Sequence, residues 1–75
     1  MGSVVHRENI GAALLQVTAY PKLRGGATWF EAVVRLPNGQ QISCRDTGED
    51  LYPSLSAAVA AGRLWAGRTQ DPTFP

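Results

Sequence analysis

The sequence predicts a small α+β domain in which three antiparallel strands form a meander and one C-terminal helix packs on one face of the sheet. Apolar and polar residues alternate in three segments that end near Asp46. The run "SAAVAAGRLWAG" then follows with helical spacing. The chain has 75 residues, which is enough for one domain with a thin core.

Two strands are predicted before the central turn of the sequence. The first runs from residue 12 to 20, "AALLQVTAY", and ends at Pro21. Gly25 and Gly26 follow, and such a pair favours a turn with positive backbone φ. The second strand covers residues 28–36, "TWFEAVVRL", which is rich in β-branched and aromatic residues.

A hairpin is predicted next, because Asn38-Gly39 between two extended runs is a strong signal for a type I′ turn. It leads into a third strand, residues 40–46, whose polar character is typical of a sheet edge. Residues 1–11 are predicted to be irregular or a short extra strand. Residues 69–75, with two prolines and no periodicity, are predicted to be an irregular tail.

The helix is predicted to begin between Leu51 and Ser54 and to stop near Gly67. Pro53 suits a first helical turn, and either Asp50 or Ser54 can cap the free N–H groups. The small residues on its inner face predict a close approach to the sheet, and such a contact accounts for a glycine within the helix at position 62.

The alternation assigns side chains to two faces of the sheet. The core is predicted to contain Leu15, Val17, Ala19, Phe30, Ala32, Val34, Leu36, Ile42 and Cys44 from the sheet, with Leu55, Ala58, Val59, Gly62, Trp65 and Ala66 from the helix. The opposite face, here called the open face, is predicted to carry Leu14, Gln16, Thr18, Tyr20, Trp29, Glu31, Val33, Arg35, Gln41, Ser43 and Arg45.

The open face is the predicted functional surface, because apolar and aromatic side chains rimmed by polar ones are typical of an interface. The predicted interface or ligand-binding residues are Tyr20, Trp29, Val33, Arg35 and Arg45. The leading hypothesis is a protein partner or a homodimer, and the alternative is a nucleic acid whose bases stack on the aromatic side chains. A third hypothesis is that the N-terminal residues or the tail fold back over this face. Lys22 and Arg24, in the glycine-containing loop, are candidates for phosphate contact.

No enzyme, cofactor, metal site or small-molecule substrate is predicted. His6 has no second histidine or nucleophile beside it in the pattern, and Cys44 is expected in the core, where a thiol is inert. The acidic residues Asp46, Glu49 and Asp50 do not have the spacing of a calcium loop and suit a helix start.

The composition predicts a cytoplasmic protein. The net charge of +1 arises from seven basic and six acidic residues mixed along the chain, which predicts no membrane contact and little nucleic-acid footprint. The single cysteine allows no intramolecular disulfide. The N-terminus shows the pattern of neither a secretion signal nor a membrane span.

Residues 29–64 resemble the second half of bacterial ribosome hibernation-promoting factors. The similarity lies in the hairpin "VRLPNGQQI" and in the helix entry "GEDLYPSLSAAVAAGRL". The resemblance implies a ribosome-associated role, but that family's domain begins with another strand and a long helix, for which residues 1–12 leave no room. The β-β-β-α order is also similar to plant-type and integrase-type DNA-binding domains, in which a three-stranded sheet lies in the major groove.

Overall fold

A computed structural model of the chain describes residues 2–44 and 51–69. It contains a four-stranded antiparallel sheet in the order β1-β2-β3-β4 and one helix. The elements are β1 (Ser3–Ile10), β2 (Ala13–Arg24), β3 (Ala27–Arg35), β4 (Gln41–Ser43) and α1 (Leu55–Thr69). The predicted α+β class is confirmed, and the sheet has a fourth strand beyond the three predicted.

The additional strand is β1, at the edge of the sheet beside β2. It joins β2 through Gly11 and Ala12, and Gly11 has a φ of 61°. Glycine is the usual residue at the first central position of a type II′ hairpin, which requires positive φ there. The register shifts between Val4 and His6, which leaves Val5 as a bulge. Residues 3–10 therefore form a strand, the second of the two states that the sequence allowed for this segment.

The β2–β3 hairpin is longer than predicted. Gly25 and Gly26 have φ values of 59° and 76°, as a two-residue type I′ turn requires. β2 does not end at Pro21, because the register shifts between Tyr20 and Arg24 and pairing resumes afterwards. Proline is tolerated at such a bulge, where no ladder hydrogen bond is needed from its nitrogen.

The β3–β4 hairpin is confirmed, but its turn is not type I′. The Gly39 amide donates to the Leu36 carbonyl (2.9 Å), and the Leu36 amide donates to the Gln40 carbonyl (2.8 Å). Gly39 has a φ of 90°, whereas Asn38 does not have a positive φ. This is the three-residue loop in which a type I turn is followed by a left-handed glycine.

The chain returns to β3 just before the helix. Tyr52 forms an isolated antiparallel bridge with Phe30, with N···O distances of 2.9 and 2.7 Å. The helix then begins at Leu55, and the Ser54 hydroxyl accepts from the Ala57 amide at 3.1 Å. Ser54 is therefore the N-cap residue, one of the two caps that the sequence predicted.

The core lies between α1 and one face of the sheet. The buried apolar residues among those described are Ala13, Leu15, Val17, Ala19, Ala32, Val34, Cys44, Tyr52, Ala58 and Ala66. Phe30, Leu36, Val59 and Trp65 pack partly buried around them. Leu55 was predicted in the core but is 37% exposed, because it is the first residue of the helix.

Candidate functional site: the open face and the groove beside the helix

The strand register arranges the open face in cross-strand rows. Directly paired residues project on the same side of a sheet, so each row can be followed across the strands. The rows contain Tyr20 and Trp29; Val4, Thr18 and Glu31; Arg7, Gln16, Val33 and Ser43; and Asn9, Leu14, Arg35 and Gln41. The helix lies on the other side, so none of the described helices or strands packs over these rows.

The aromatic end of the open face consists of Tyr20 and Trp29, which are cross-strand partners and are both half-buried. The Tyr20 hydroxyl donates to Glu31 Oε1 at 3.0 Å. This hydrogen bond, with a smaller effect of burial, raises the pKa of Tyr20 above its usual value. The bond holds the Tyr20 ring in place beside its cross-strand partner Trp29.

The N-terminus closes the outer end of this aromatic row. A Cβ built on Gly2 would lie 2.6 Å from Tyr20 Cε1 and 2.7 Å from Thr18 Cγ2, closer than any real contact. The backbone at Gly2 is therefore packed against these two side chains. Residues 3–10 form β1 at the sheet edge and do not fold back over the face, and residues 70–75 of the tail lie outside the described residues.

The centre of the open face is a shallow depression of about 190 Å³, lined by Leu14, Gln16, Thr18, Glu31, Val33, Arg35 and Gln41. Pockets that hold small molecules usually measure about 300–1,000 Å³. The depression is smaller than these and mostly polar. Its shape suits contact with another macromolecule better than enclosure of a small ligand.

The charges on the described part of the open face are two arginines and one carboxylate. Arg35 is exposed. When the oxygen and nitrogen of the Gln41 amide are exchanged, the oxygen faces the guanidinium and accepts from Arg35 Nη2 at 2.6 Å and from Nε at 3.2 Å. Arg7 joins the face from β1, opposite Gln16. The single carboxylate, Glu31, accepts from the Tyr20 hydroxyl. Sequence reasoning missed Arg7, and Gly11 between two extended segments was the signal for its strand.

Three other predicted contact residues lie away from these rows or outside the described residues. Lys22 is exposed at the bulge in β2 and has a φ of 56°, a left-handed conformation that is unusual for a residue other than glycine. Arg24 is the last residue of β2. Arg45 lies outside the described residues, as do the acidic residues Asp46, Glu49 and Asp50.

His6 belongs to an ion-pair cluster on the helix side of the sheet. Its Nε2 lies 3.0 Å from Glu8 Oε1. Arg63 of α1 donates to the same carboxylate through Nε and Nη2, at distances of 2.9–3.2 Å. The hydrogen bonds from Arg63, and secondarily from His6, lower the pKa of Glu8. This cluster ties the edge strand β1 to the helix.

Cys44 is fully buried, and burial raises the pKa of its thiol to about 11. A thiol with that pKa is almost entirely protonated at neutral pH, whereas the thiolate is the form that acts as a nucleophile or binds a metal. No group of three His, Cys, Asp or Glu side chains within residues 2–44 and 51–69 is arranged to hold a metal ion.

A second candidate surface, which was not among the predicted site residues, lies beside the helix. This helix-side groove has a volume of about 410 Å³ and is lined by Tyr52, Ala57, Ala61, Leu64, Trp65 and Arg68, together with Ala60. Leu64 is 61% exposed, more than any other large apolar side chain among the described residues. The Arg68 guanidinium lies 5.4 Å from the centre of the Trp65 ring, within cation–π distance.

The helix α1 is too short and insufficiently apolar to span a membrane, and the other described residues contain no helix that could do so. Comparisons with protein-family models, curated proteins and solved structures give no significant match. The resemblance to ribosome hibernation-promoting factors therefore stays a prediction from residues 29–64.

Proposed function

We propose that this protein is a non-enzymatic interaction module that binds a protein partner, or a second copy of itself, through the open face. The observation that carries the proposal is the aromatic pair Tyr20 and Trp29, side by side on a sheet face that lies away from the helix. Large aromatic side chains contribute disproportionately to binding energy at protein interfaces.

The arrangement around the aromatic pair supports a protein interface. Val33 and Leu14 add apolar area farther along the same face, two and three rows from the pair, and they lie among the polar side chains of Gln16, Thr18 and Gln41. Interfaces commonly combine apolar contacts with polar ones. Because Glu31 already holds Tyr20, less side-chain entropy is lost when a partner binds.

The test uses three forms of the protein as immobilised bait: the wild type, Trp29→Ala and Leu64→Ala. Trp29→Ala removes the larger ring of the aromatic pair, and Leu64→Ala removes an apolar side chain from the opposite layer. We expect a partner protein that is retained on the immobilised wild type and on Leu64→Ala but is not retained on Trp29→Ala. Identical retention by all three forms would contradict it, provided that circular dichroism shows each form folded.

Nucleic-acid binding through the same face is the second candidate. The observation that favours it is the placement of Arg7 on the face that already carries Arg35, opposed by the single carboxylate Glu31. Proteins commonly bind single-stranded nucleic acid by stacking its bases on aromatic side chains while nearby cationic groups contact its phosphates.

Fluorescence anisotropy with labelled single strands of about ten nucleotides tests this candidate. Each phosphate contact contributes about 0.7 to the slope of log affinity against log salt for single strands. Arg7→Gln and Arg35→Gln are expected to reduce that slope, and Arg68→Gln, on the helix, is the charge-matched control. Absence of binding by the wild type at low salt would dismiss the candidate.

A further inference from the structure

We propose that the helix-side groove joins two copies of this chain through an antiparallel pair of α1 helices. The groove lies in the layer opposite the open face, so this inference goes beyond the proposed function. It starts from Leu64, whose side chain projects from the rim of an apolar groove into solvent. Exposed apolar surface of this kind marks a contact site.

The surface is complementary to itself, as a two-fold symmetric interface requires. Leu64 projects from the helix. The alanines at positions 57, 60 and 61 lie on the same face of the helix, and their short side chains leave space for a leucine of the other copy. Leu64 and Ala57 are seven residues apart, which is about two turns. When two helices run antiparallel with Ala60 opposite Ala61 of the other copy, each Leu64 falls opposite an Ala57.

The distribution of charge selects this orientation. Arg68 is the one charged residue of the groove, and it lies in the last turn of α1. In a parallel pair the two Arg68 side chains would be adjacent and would repel each other. In the antiparallel pair, about 22 Å of helix separates them, which exceeds the screening length of about 8 Å at physiological salt.

The expected dimer is reversible, because a single helix stripe is smaller than a standard stable interface. It also has a functional consequence. The helices lie on one side of the sheet, so a dimer formed through them leaves both open faces available, and the dimer can engage a partner twice.

The test measures mass by sedimentation from about 10 μM to about 1 mM of the full chain. Ala60 is exposed, so Ala60→Glu leaves the core intact while placing two carboxylates close together across the two-fold axis. Gln40→Glu adds the same charge at an exposed turn position away from the groove. In a Trp29→Phe background, emission of the remaining tryptophan, Trp65, reports burial of the groove.

The proposal expects a concentration-dependent dimer with a blue shift of Trp65 emission. Ala60→Glu abolishes both the dimer and the blue shift. Leu64→Ala raises the dissociation constant of the dimer by about tenfold or more, and Gln40→Glu behaves as the wild type. A monomer throughout the range overturns the proposal. A dimer that is lost with Trp29→Ala and kept with Leu64→Ala also overturns it, because association then occurs through the open face. Partner retention that does not depend on Trp29 contradicts only the proposed function.

Discussion

The carboxylate of Glu8 on β1 and the guanidinium of Arg63 on α1 form a bidentate ion pair, although the two residues are 55 positions apart in the sequence. The planar guanidinium meets both carboxylate oxygens, at distances of 2.9–3.2 Å. β1 contributes little to the apolar core, so this pair is its principal side-chain link to the helix. The edge strand is therefore attached partly by an interaction that depends on pH.

Acid is expected to weaken the attachment of β1. The pKa of Glu8 is lowered from its ordinary value of 4.5 in the folded protein by its bonds to Arg63 and His6. For a lowered carboxyl pKa, the stabilisation is complete above the unfolded-state pKa and is lost as pH falls through the folded-state pKa. The melting temperature of the wild type should exceed that of Glu8→Gln at pH 7, and the two should converge below pH 4.5.

Salt provides the control for this prediction, because the pair is solvent-exposed and therefore screened. The difference between the wild type and Glu8→Gln should shrink at high ionic strength. A difference that is independent of both pH and salt would mean that Glu8 stabilises the fold by packing alone.

Gly62 is expected to be essential for the packing of helix on sheet. A Cβ at position 62 would overlap the fully buried Leu15 side chain, so either Leu15 or the helix would have to shift. Gly62→Ala should therefore destabilise the protein by up to about 2 kcal/mol, since overpacking costs about 1–3 kcal/mol and the gain in helix propensity is about 1 kcal/mol. Urea unfolding measures this change.

Gly67 is the matched control, because it lies in the same helix and a Cβ there meets nothing within 4 Å. Gly67→Ala should stabilise the protein by up to about 1 kcal/mol. Equal effects of the two substitutions would show that the contact between Gly62 and Leu15 does not limit the approach of the helix.

The parts of the fold that were predictable are those in which one residue pattern determines the structure. Alternation located β2 and β3, and Ser54 marked the helix start. β1 was less clear because its helix-side positions carry the polar residues His6 and Glu8, which contact each other and, through Glu8, Arg63. The β3–β4 turn was predicted wrongly because Pro37 has no N–H to donate to Gln40, as the residue before a type I′ Asn-Gly pair must, whereas its φ near −65° suits the first central position of a type I turn.

The candidate sites depend more than the individual strands and helix do on contacts between residues far apart in the sequence. Arg7 joins the open face only through the register of β1 with β2. The helix-side groove exists because the bridge between Tyr52 and Phe30 places a tyrosine beside the helix. Helical periodicity identifies the stripe that faces the core, but it does not show what lies beside the helix.

Cys44 is expected to be protected from thiol reagents in the folded protein. Its side chain is fully buried, and the pKa of the thiol is raised by burial to about 11. Labelling by a disulfide reagent at pH 8 should therefore require unfolding and should become fast in denaturant. Ser56→Cys supplies an exposed thiol on the helix as a control that should react at once. Rapid labelling of Cys44 without denaturant would show that β4 opens readily.

The bond between Tyr20 and Glu31 is expected to appear in an alkaline titration. The pKa of Tyr20 is raised above its ordinary value of 10.0, first by the hydrogen bond to Glu31 and then by burial. The folded protein thus keeps a proton that the unfolded chain loses, so stability falls as pH rises above about 10. In Tyr52→Phe, absorbance of the remaining tyrosinate reports Tyr20 alone. Glu31→Gln in that background should lower the pKa of Tyr20, whereas Gln16→Glu, on the same strand, should not. An unchanged pKa in Glu31→Gln would show that Glu31 does not hold the aromatic end of the open face in solution.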